Sequence, residues 1–93
     1  MLGYNGPGQF KNVKTAATTL VKTGEGVLNH IQINGGTLTG TITVYDGVDA
    51  TGKVIAIIGA NQVNGNRYEY NCEVTTGICV VASANVDFTV CFN

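Results

Sequence analysis

The sequence predicts an all-β protein, with a single small β-sandwich or jelly-roll-like domain of about seven to eight antiparallel strands and an N-terminal arm. Thr, Asn, Gly, Val and Ile dominate the 93 residues, and only 12% are charged, as is typical of all-β domains. Apolar and polar residues alternate over short runs, and no segment shows a helical period. Turn-forming clusters separate the runs at intervals of about 8–12 residues, which favours a sandwich or jelly roll over the alternative, a small open barrel.

Residues 1–11 are predicted to form a Gly-rich N-terminal arm, and residues 12–93 the sandwich domain. The arm carries three large apolar side chains, Leu2, Tyr4 and Phe10. Glycine disfavours regular structure, but a free tail does not need three large apolar side chains. The sequence therefore leaves two interpretations open: a disordered terminus, or an arm that docks on a neighbouring subunit.

The predicted strands follow the alternation and the turn residues between them. The first is rich in Thr and Val and ends at the turn 23–26, and Gly35 with Gly36 can supply the positive φ of a tight hairpin after the second. The loop 46–52 is dense in turn residues. The predicted strands are 12–23, 27–34, 38–45, 53–58, 67–74, 78–83 and 86–92.

The run from Val27 to Asp46 is predicted to be a hairpin with one buried face. Its opposite face is polar and suited to lying beside other subunits; it carries Asn29, His30, Gln32, Thr41 and Thr43. The next strand, 53–58, has apolar residues at both odd and even positions, and therefore on both of its faces. We therefore expect that strand to be central in its sheet or covered on its second face.

The last two strands are predicted to pair as a hairpin centred on Asn85. In that register the apolar pairs Ile78–Phe92, Val80–Val90 and Ala82–Phe88 form the buried face. The same register places Cys79 opposite Cys91 on the other face, either as a disulfide or, more in keeping with a cytoplasmic protein, as two reduced thiols. Cys72 is interpreted as a packing residue. Three cysteines without a CxxC pattern fit neither a disulfide scaffold nor a zinc site.

The charge distribution excludes some partners and leaves one question open. A net charge of −1 provides no basic field for a nucleic acid. Lys11, Lys14 and Lys22 make the first third basic, so that either a basic edge meets an acidic partner or the three lysines are simply solvated. No basic, apolar signal peptide and no apolar stretch of about 20 residues are present. We expect synthesis and folding in a cytoplasm, and no membrane partner.

No catalytic or cofactor-binding constellation is evident. His30 is the only histidine, and no acidic residue lies near it in sequence, as a triad or metal site would need. Asp46 and Asp49 flank a Gly-containing loop that offers carboxylate oxygens to calcium, but a third carboxylate at fixed spacing is missing. Glu69 and Glu73 give no evidence of an acid/base pair. We therefore expect no enzymatic activity, no cofactor and no bound metal.

Several segments, taken in order, resemble a family of small virion proteins from tailed bacteriophages. They are TTLVKTGEGVLNHIQIN at 18–34, GTITVYDG at 40–47, DATG at 49–52, KVIAIIG at 53–59, TTGICVV at 75–81 and DFTV at 87–90. The resemblance covers about residues 16–92, and its specificity comes from the order of the motifs. The three cysteines and the Gly-rich arm depart from the family pattern, which leaves the attachment mode open.

The resemblance implies a capsid decoration or cement protein, a compact β domain that binds the major capsid protein on the outside of the virion head, often as a trimer. Under this hypothesis Leu2, Tyr4 and Phe10 anchor the arm, and Lys11 and Lys14 orient it against acidic capsid surface. Two alternatives remain. One is a head fibre, neck or tail component of the same virion. The other is a carbohydrate-binding module that uses the loops 46–52 and 59–66 with the tyrosines Tyr4, Tyr45, Tyr68 and Tyr70.

Overall fold

The computed structural model describes residues 8–35, 37–59, 62–63 and 67–93, and these residues form strands and loops only. The described part contains no helix that is long and apolar enough to cross a membrane. The strands are β1 (Gln9–Val13), β2 (Thr18–Thr23), β3 (Gly26–Gly35), β4 (Thr37–Leu38), β5 (Ile42–Asp46), β6 (Lys53–Ile58), β7 (Gln62–Val63), β8 (Arg67–Val74), β9 (Gly77–Ala82) and β10 (Asp87–Phe92).

Eight of these strands form two antiparallel sheets of four strands, which pack against each other as a sandwich. Sheet A has the strand order β1-β10-β3-β8, and sheet B has the order β2-β9-β5-β6. The short strands β4 and β7 pair separately. The all-β sandwich predicted from alternation and turn spacing is therefore confirmed, with four edge strands: β1 and β8 in sheet A, and β2 and β6 in sheet B.

The strand pairing is nested from the ends of the chain inward. β1 pairs with β10, β2 with β9, β3 with β8, β4 with β7, and β5 with β6. Each of these pairs is centred close to Ala50 in the sequence, so the chain runs as one long antiparallel ribbon that turns in the loop 46–52. The ribbon winds so that successive segments alternate between the sheets, and the result is the two-sheet arrangement of a jelly roll.

The core lies between the two sheets and consists of the inward-facing apolar side chains of both. Phe88, Leu28 and Ile31 are the largest side chains with no exposed surface. Almost all other core members are Val or Ile, whose branched side chains suit a pleated surface. The buried parities predicted for the last two strands are confirmed; the residues are Ile78, Val80, Ala82, Phe88, Val90 and Phe92.

The predicted first strand, 12–23, is wrong in extent. The structure divides this segment into β1 and β2, which lie in different sheets. A bend at 15–17 carries the chain from one sheet to the other, because the ribbon must change layers there. β1 begins at Gln9, so residues 9–11, which the sequence assigns to the arm, belong to sheet A.

Both predicted hairpins are wrong in their pairing. β3 lies in sheet A and β5 in sheet B, so the polar side chains predicted for one hairpin face are divided between two sheets. β9 and β10 are likewise in different sheets. Cys79 lies opposite Leu20 and Tyr45, whereas Cys91 lies opposite Phe10 and His30. The two thiols therefore do not face each other, and all three cysteines are free.

Candidate interaction surfaces

The outer face of sheet B carries two rows of uncharged side chains. The register places its side chains in two rows, because residues opposite each other on neighbouring strands point to the same side of a sheet. Thr18, Val81, Thr43 and Ile57 form the first row, and Leu20, Cys79, Tyr45 and Val54 form the second. We call these eight residues the B face.

Three large aliphatic side chains of the B face are exposed to solvent. Ile57 is 64% exposed, Val54 50% and Leu20 47%. The structure excludes a central position for the strand 53–58, because β6 is an edge strand, and the described residues do not cover its outward side chains. Leu20 lies on one edge strand of sheet B, and Val54 and Ile57 lie on the other.

A β-bulge brings Val54 and Ile57 to the same side of β6. Tyr45 pairs with Val54 while Val44 pairs with Ala56, so Ile55 is an extra residue without an opposite partner. Ile55 packs against the core instead. Strict alternation along the sequence would put Val54 and Ile57 on opposite faces of the strand. The bulge reverses the alternation beyond it, and the two side chains therefore lie on the same face. This is why the B face was not apparent from the sequence.

Cys79 lies near the middle of the B face, between Leu20 and Tyr45 on the flanking strands. Its side chain is fully buried although it faces away from the core. Burial, followed by the nearby negative charge of Asp49, raises the pKa of the Cys79 thiol. Since the thiolate is the reactive form, Cys79 is an inert packing residue.

The outer face of sheet A is polar and internally hydrogen-bonded. The Asn12 amide donates to Asp87 Oδ1 over 2.7 Å and to Thr89 Oγ1 over 3.2 Å. The Asn34 amide, two strands away, donates to Asp87 Oδ1 over 3.1 Å and to Thr89 Oγ1 over 2.7 Å. The amide of Asn12, then that of Asn34, holds the pKa of Asp87 below its ordinary value. This network ties β1, β10 and β3 together.

One row of sheet A brings three chemistry-bearing residues next to one another. Cys91 lies opposite His30, and His30 lies opposite Glu69 on the next strand. The sequence shows no such grouping, because the three residues are far apart in the chain. Glu69 accepts a hydrogen bond from the Arg67 guanidinium. Among the described residues no cluster of three His, Cys, Asp or Glu side chains could hold a metal ion.

The predicted partner-binding residues fall partly on β1, one of the two edge strands of sheet A in the described part of the chain. Phe10 is 72% exposed, more than any other large apolar side chain that the structure describes. Lys11 and Lys14 are exposed beside it. Leu2 and Tyr4 lie outside the described residues.

The loop 46–52, considered above for calcium, uses its carboxylates within the fold. Asp46 accepts hydrogen bonds from the backbone N–H groups of Thr75, Thr76 and Gly77 and from the Thr75 hydroxyl. Asp49 accepts from the N–H and hydroxyl of Thr51. The bonds from Thr75 first, then Thr76, hold the pKa of Asp46 below its ordinary value of 3.8. The two carboxylates therefore stabilise turns and do not converge on a common cation position.

The tyrosines proposed as a sugar-binding platform are not gathered in one place. Tyr45 belongs to the B face in sheet B. Tyr68 and Tyr70 lie on β8 of sheet A and pack against the core, and burial raises the pKa of Tyr70. Tyr4 and much of the loop 59–66 lie outside the described residues.

One open groove of about 510 Å³ lies at the end of the sandwich. Its lining combines cationic, anionic and amide side chains; among them are Lys22, Glu25, Glu73 and Asn93. Asn93 Nδ2 is buried without a hydrogen-bond partner, while its Oδ1 accepts from Asn29 Nδ2 over 2.6 Å. The mixed charges indicate no single ligand class.

Comparison of the chain with models of protein families, with curated proteins and with solved structures finds no match. The surfaces described above are therefore the basis for a functional proposal.

Proposed function

We propose that this chain is a structural protein of a tailed-bacteriophage virion, a capsid decoration (cement) protein that binds the major capsid protein on the outer head lattice. The observation that carries the proposal is Phe10, a large apolar side chain that is 72% exposed on the free edge strand β1. A free edge with an exposed aromatic residue is a surface that soluble monomers avoid and subunit contacts use.

The surroundings of Phe10 fit attachment to another protein. Lys11 and Lys14 are exposed on the same segment, and cations at the rim of a contact steer it toward an acidic surface. The segment before β1 adds Leu2 and Tyr4 in sequence. Attachment at β1 would bury apolar side chains across joints between capsid subunits, and so resist the internal pressure that opens them.

The virion context rests on the ordered motifs between residues 16 and 92, and the jelly-roll arrangement is compatible with it. Jelly rolls serve as viral coat proteins and also as lectins, so the fold alone does not choose between these roles. The separation of Tyr45 from Tyr68 and Tyr70 disfavours a sugar platform. We therefore retain the virion role and propose location on the capsid surface after synthesis in the host cytoplasm.

The test is co-sedimentation of the purified chain with empty phage heads. We expect wild type to bind, and variants that lack residues 1–7 or carry Phe10→Ser to lose at least about tenfold in affinity, as for an apolar anchor at a contact. Truncation at residue 7 leaves β1 intact, because β1 starts at Gln9. Val48→Ser is the matched control, since Val48 is also exposed, at 45%, but lies in the loop 46–52.

Tails and fibres from the same lysate provide the comparison for the alternative virion location. Binding to tails but not to heads would transfer the proposal to a tail or fibre component. Wild-type binding to heads that is unaffected by either change at the N-terminus would show that β1 is not the attachment site. Absence of binding to any virion part would contradict the proposed function.

A further inference from the structure

Three of the four edge strands contain a bulge. β2 and β6 each carry one residue more than the strand they pair with, at Val21 and Ile55 respectively. β8 carries its extra residue beside Asn71, whose φ of 50° lies in the left-handed region. A bulge twists an edge strand and interrupts the row of backbone groups to which a further strand would bond.

β1 is the edge strand that lacks this protection. It pairs with β10 residue for residue from Gln9 to Val13, with no shift of register, and it contains no proline. Alternate residues of a regular edge strand direct their N–H and C=O groups away from the sheet. Among the described residues no strand pairs with that side of β1. β1 therefore offers backbone groups to one further strand.

Phe10 and Lys11 lie on opposite faces of β1. Phe10 is opposite Cys91 on the outer face, whereas Lys11 is opposite Val90, whose side chain is fully buried between the sheets. Lys11 thus belongs to the core side of sheet A, yet it is exposed at the edge. A charge at such a position disfavours any added strand that would bring an apolar or a basic side chain beside it.

The lysine selects the strand that β1 accepts. Side chains directly opposite each other on neighbouring strands are about 5 Å apart, so opposite charges stabilise the pair and like charges destabilise it. Two copies of β1 paired antiparallel about the lysine would place Lys11 opposite Lys11.

The acidic edge of a second copy does not match β1 either. Glu69 and Glu73 of β8 alternate with residues that pack against the core. They therefore lie on the outer face, where an added strand would place them beside Phe10 instead of Lys11. The bulge in β8 also interrupts its pairing. A strand from another protein with a carboxylate on the core side meets neither obstacle.

We propose that β1 binds an extended segment of a partner protein as an additional strand of sheet A, with an acidic side chain opposite Lys11 and an apolar side chain beside Phe10. Backbone hydrogen bonds to the edge provide affinity, and the two side-chain positions, on opposite faces, provide specificity. The inference rests on the proposed function for the choice of β1 as the attachment site. It adds the mode of attachment and the chemistry of the partner segment.

The test is hydrogen exchange of the full, isotope-labelled chain in the presence of a synthetic peptide. The peptide is acetyl-Thr-Thr-Val-Glu-Val-Thr-Thr-amide, which we call the acidic probe. Its glutamate is central, so a Val lies beside Phe10 in either strand direction when the glutamate is opposite Lys11. We expect millimolar acidic probe to slow the exchange of alternate β1 amides, those that point away from β10, and to leave the β2 and β6 edges unchanged. A contact made by charge alone would not protect these amides.

A charge swap tests the role of Lys11. The lysine probe, with Lys in place of the central Glu, should bind wild type at least about fivefold more weakly than the acidic probe. Lys11→Glu should reverse this preference. Lys53→Glu is the matched control, because Lys53 is also an exposed lysine on an edge strand, and it should keep the preference of wild type. Circular dichroism checks that both variants are folded.

Other occupants of the edge give different results. Amides of β1 that are already protected in the free chain, and lose protection when residues 1–7 are removed, would assign the edge to that segment. Self-association that Lys11→Glu abolishes would assign it to a second copy. Either result would overturn the proposal. So would β1 amides that millimolar acidic probe leaves unprotected, or a probe preference that Lys11→Glu does not change.

Head binding separates this inference from the proposed function. Protection of β1 by the acidic probe, with no binding of the chain to any virion part, would support strand addition and contradict the proposed function alone. Head binding that Phe10→Ser weakens and Lys11→Glu leaves unchanged, with no protection of β1 by the probe, would support the proposed function and contradict strand addition.

Discussion

Asp46 and Thr75 join two turns that are distant in the sequence. The Thr75 backbone N–H donates to Asp46 Oδ2 over 3.0 Å, and the Thr75 hydroxyl donates to the same oxygen over 3.2 Å. Asp46 ends β5, immediately before the loop in which the ribbon turns, and Thr75 lies in the turn between β8 and β9. The Asp46 carboxylate thus holds the loop 46–52, which connects two strands of sheet B, to the turn in which the chain passes from sheet A to sheet B.

Replacing this carboxylate should destabilise the domain. Asp46→Asn removes the charge that accepts several hydrogen bonds, and we expect a loss of about 1–2 kcal/mol after allowance for solvent exposure. Thermal or urea unfolding measures the change. Asp49→Asn is the control with a smaller expected effect, because Asp49 bonds only within its own loop.

The same carboxylate predicts an acid dependence of stability. Hydrogen bonds hold the pKa of Asp46 in the folded protein below the ordinary 3.8. The contribution of Asp46 is therefore complete above about pH 4 and is lost as the pH falls through the lowered pKa. In urea titrations from pH 7 to pH 2, the difference between wild type and Asp46→Asn should shrink at the acid end. A constant difference would show that the charge of Asp46 does not matter.

The close approach of three strand ends makes Gly77 sensitive to a single methyl group. A Cβ at position 77 would lie 2.5 Å from the carbonyl oxygen of Lys22 and 3.0 Å from that of Gly47. Because backbone atoms cannot move aside easily, we expect Gly77→Ala to cost about 1–3 kcal/mol. Gly35→Ala is the matched control, since a Cβ there meets nothing within 4 Å; its unfolding midpoint should stay near that of wild type.

The sequence predicted the faces of the strands better than their partners. Alternation is a local property, so the buried parity of residues such as Ile31, Val80 and Val90 was correct. Pairing is not local in this fold, because the ribbon places Gln9 beside Phe92 and Thr18 beside Val81. Turn residues indicated where the chain bends, but they did not indicate whether a bend closes a hairpin or carries the chain to the other sheet.

The candidate surfaces were predictable to different degrees. Phe10, Lys11 and Lys14 could be selected from the sequence because large apolar and basic residues stand out in a Gly-rich segment. The B face could not, since it combines residues of four strands and depends on the bulge at Ile55. The apolar character of β6 on both of its faces was the sequence signal that came nearest to it.

The polar network on sheet A predicts a specific effect of a new charge. Asn34→Asp replaces an amide donor by a carboxylate next to Asp87, whose Oδ1 lies 3.1 Å from Asn34 Nδ2. We expect a lower urea midpoint at pH 7 and a smaller difference from wild type at pH 3, where both carboxyl groups gain protons. Gln32→Glu is the control on the same strand. It faces Arg67, and its midpoint at pH 7 should not fall.

The three cysteines should differ in reactivity in the native protein. Cys79 has no exposed surface, and burial raises its pKa, whereas Cys72 and Cys91 are partly exposed. Because attack on a disulfide reagent requires an accessible thiolate, Cys72 and Cys91 should react first and Cys79 only when the domain unfolds. Cys79→Ala identifies the slow phase by removing it.

The number of thiols titrated in denaturant should be the same with and without prior reduction, because Cys79 and Cys91 lie in different sheets. Fewer thiols before reduction, in a chain that runs as a monomer on a non-reducing gel, would contradict the separation of Cys79 from Cys91.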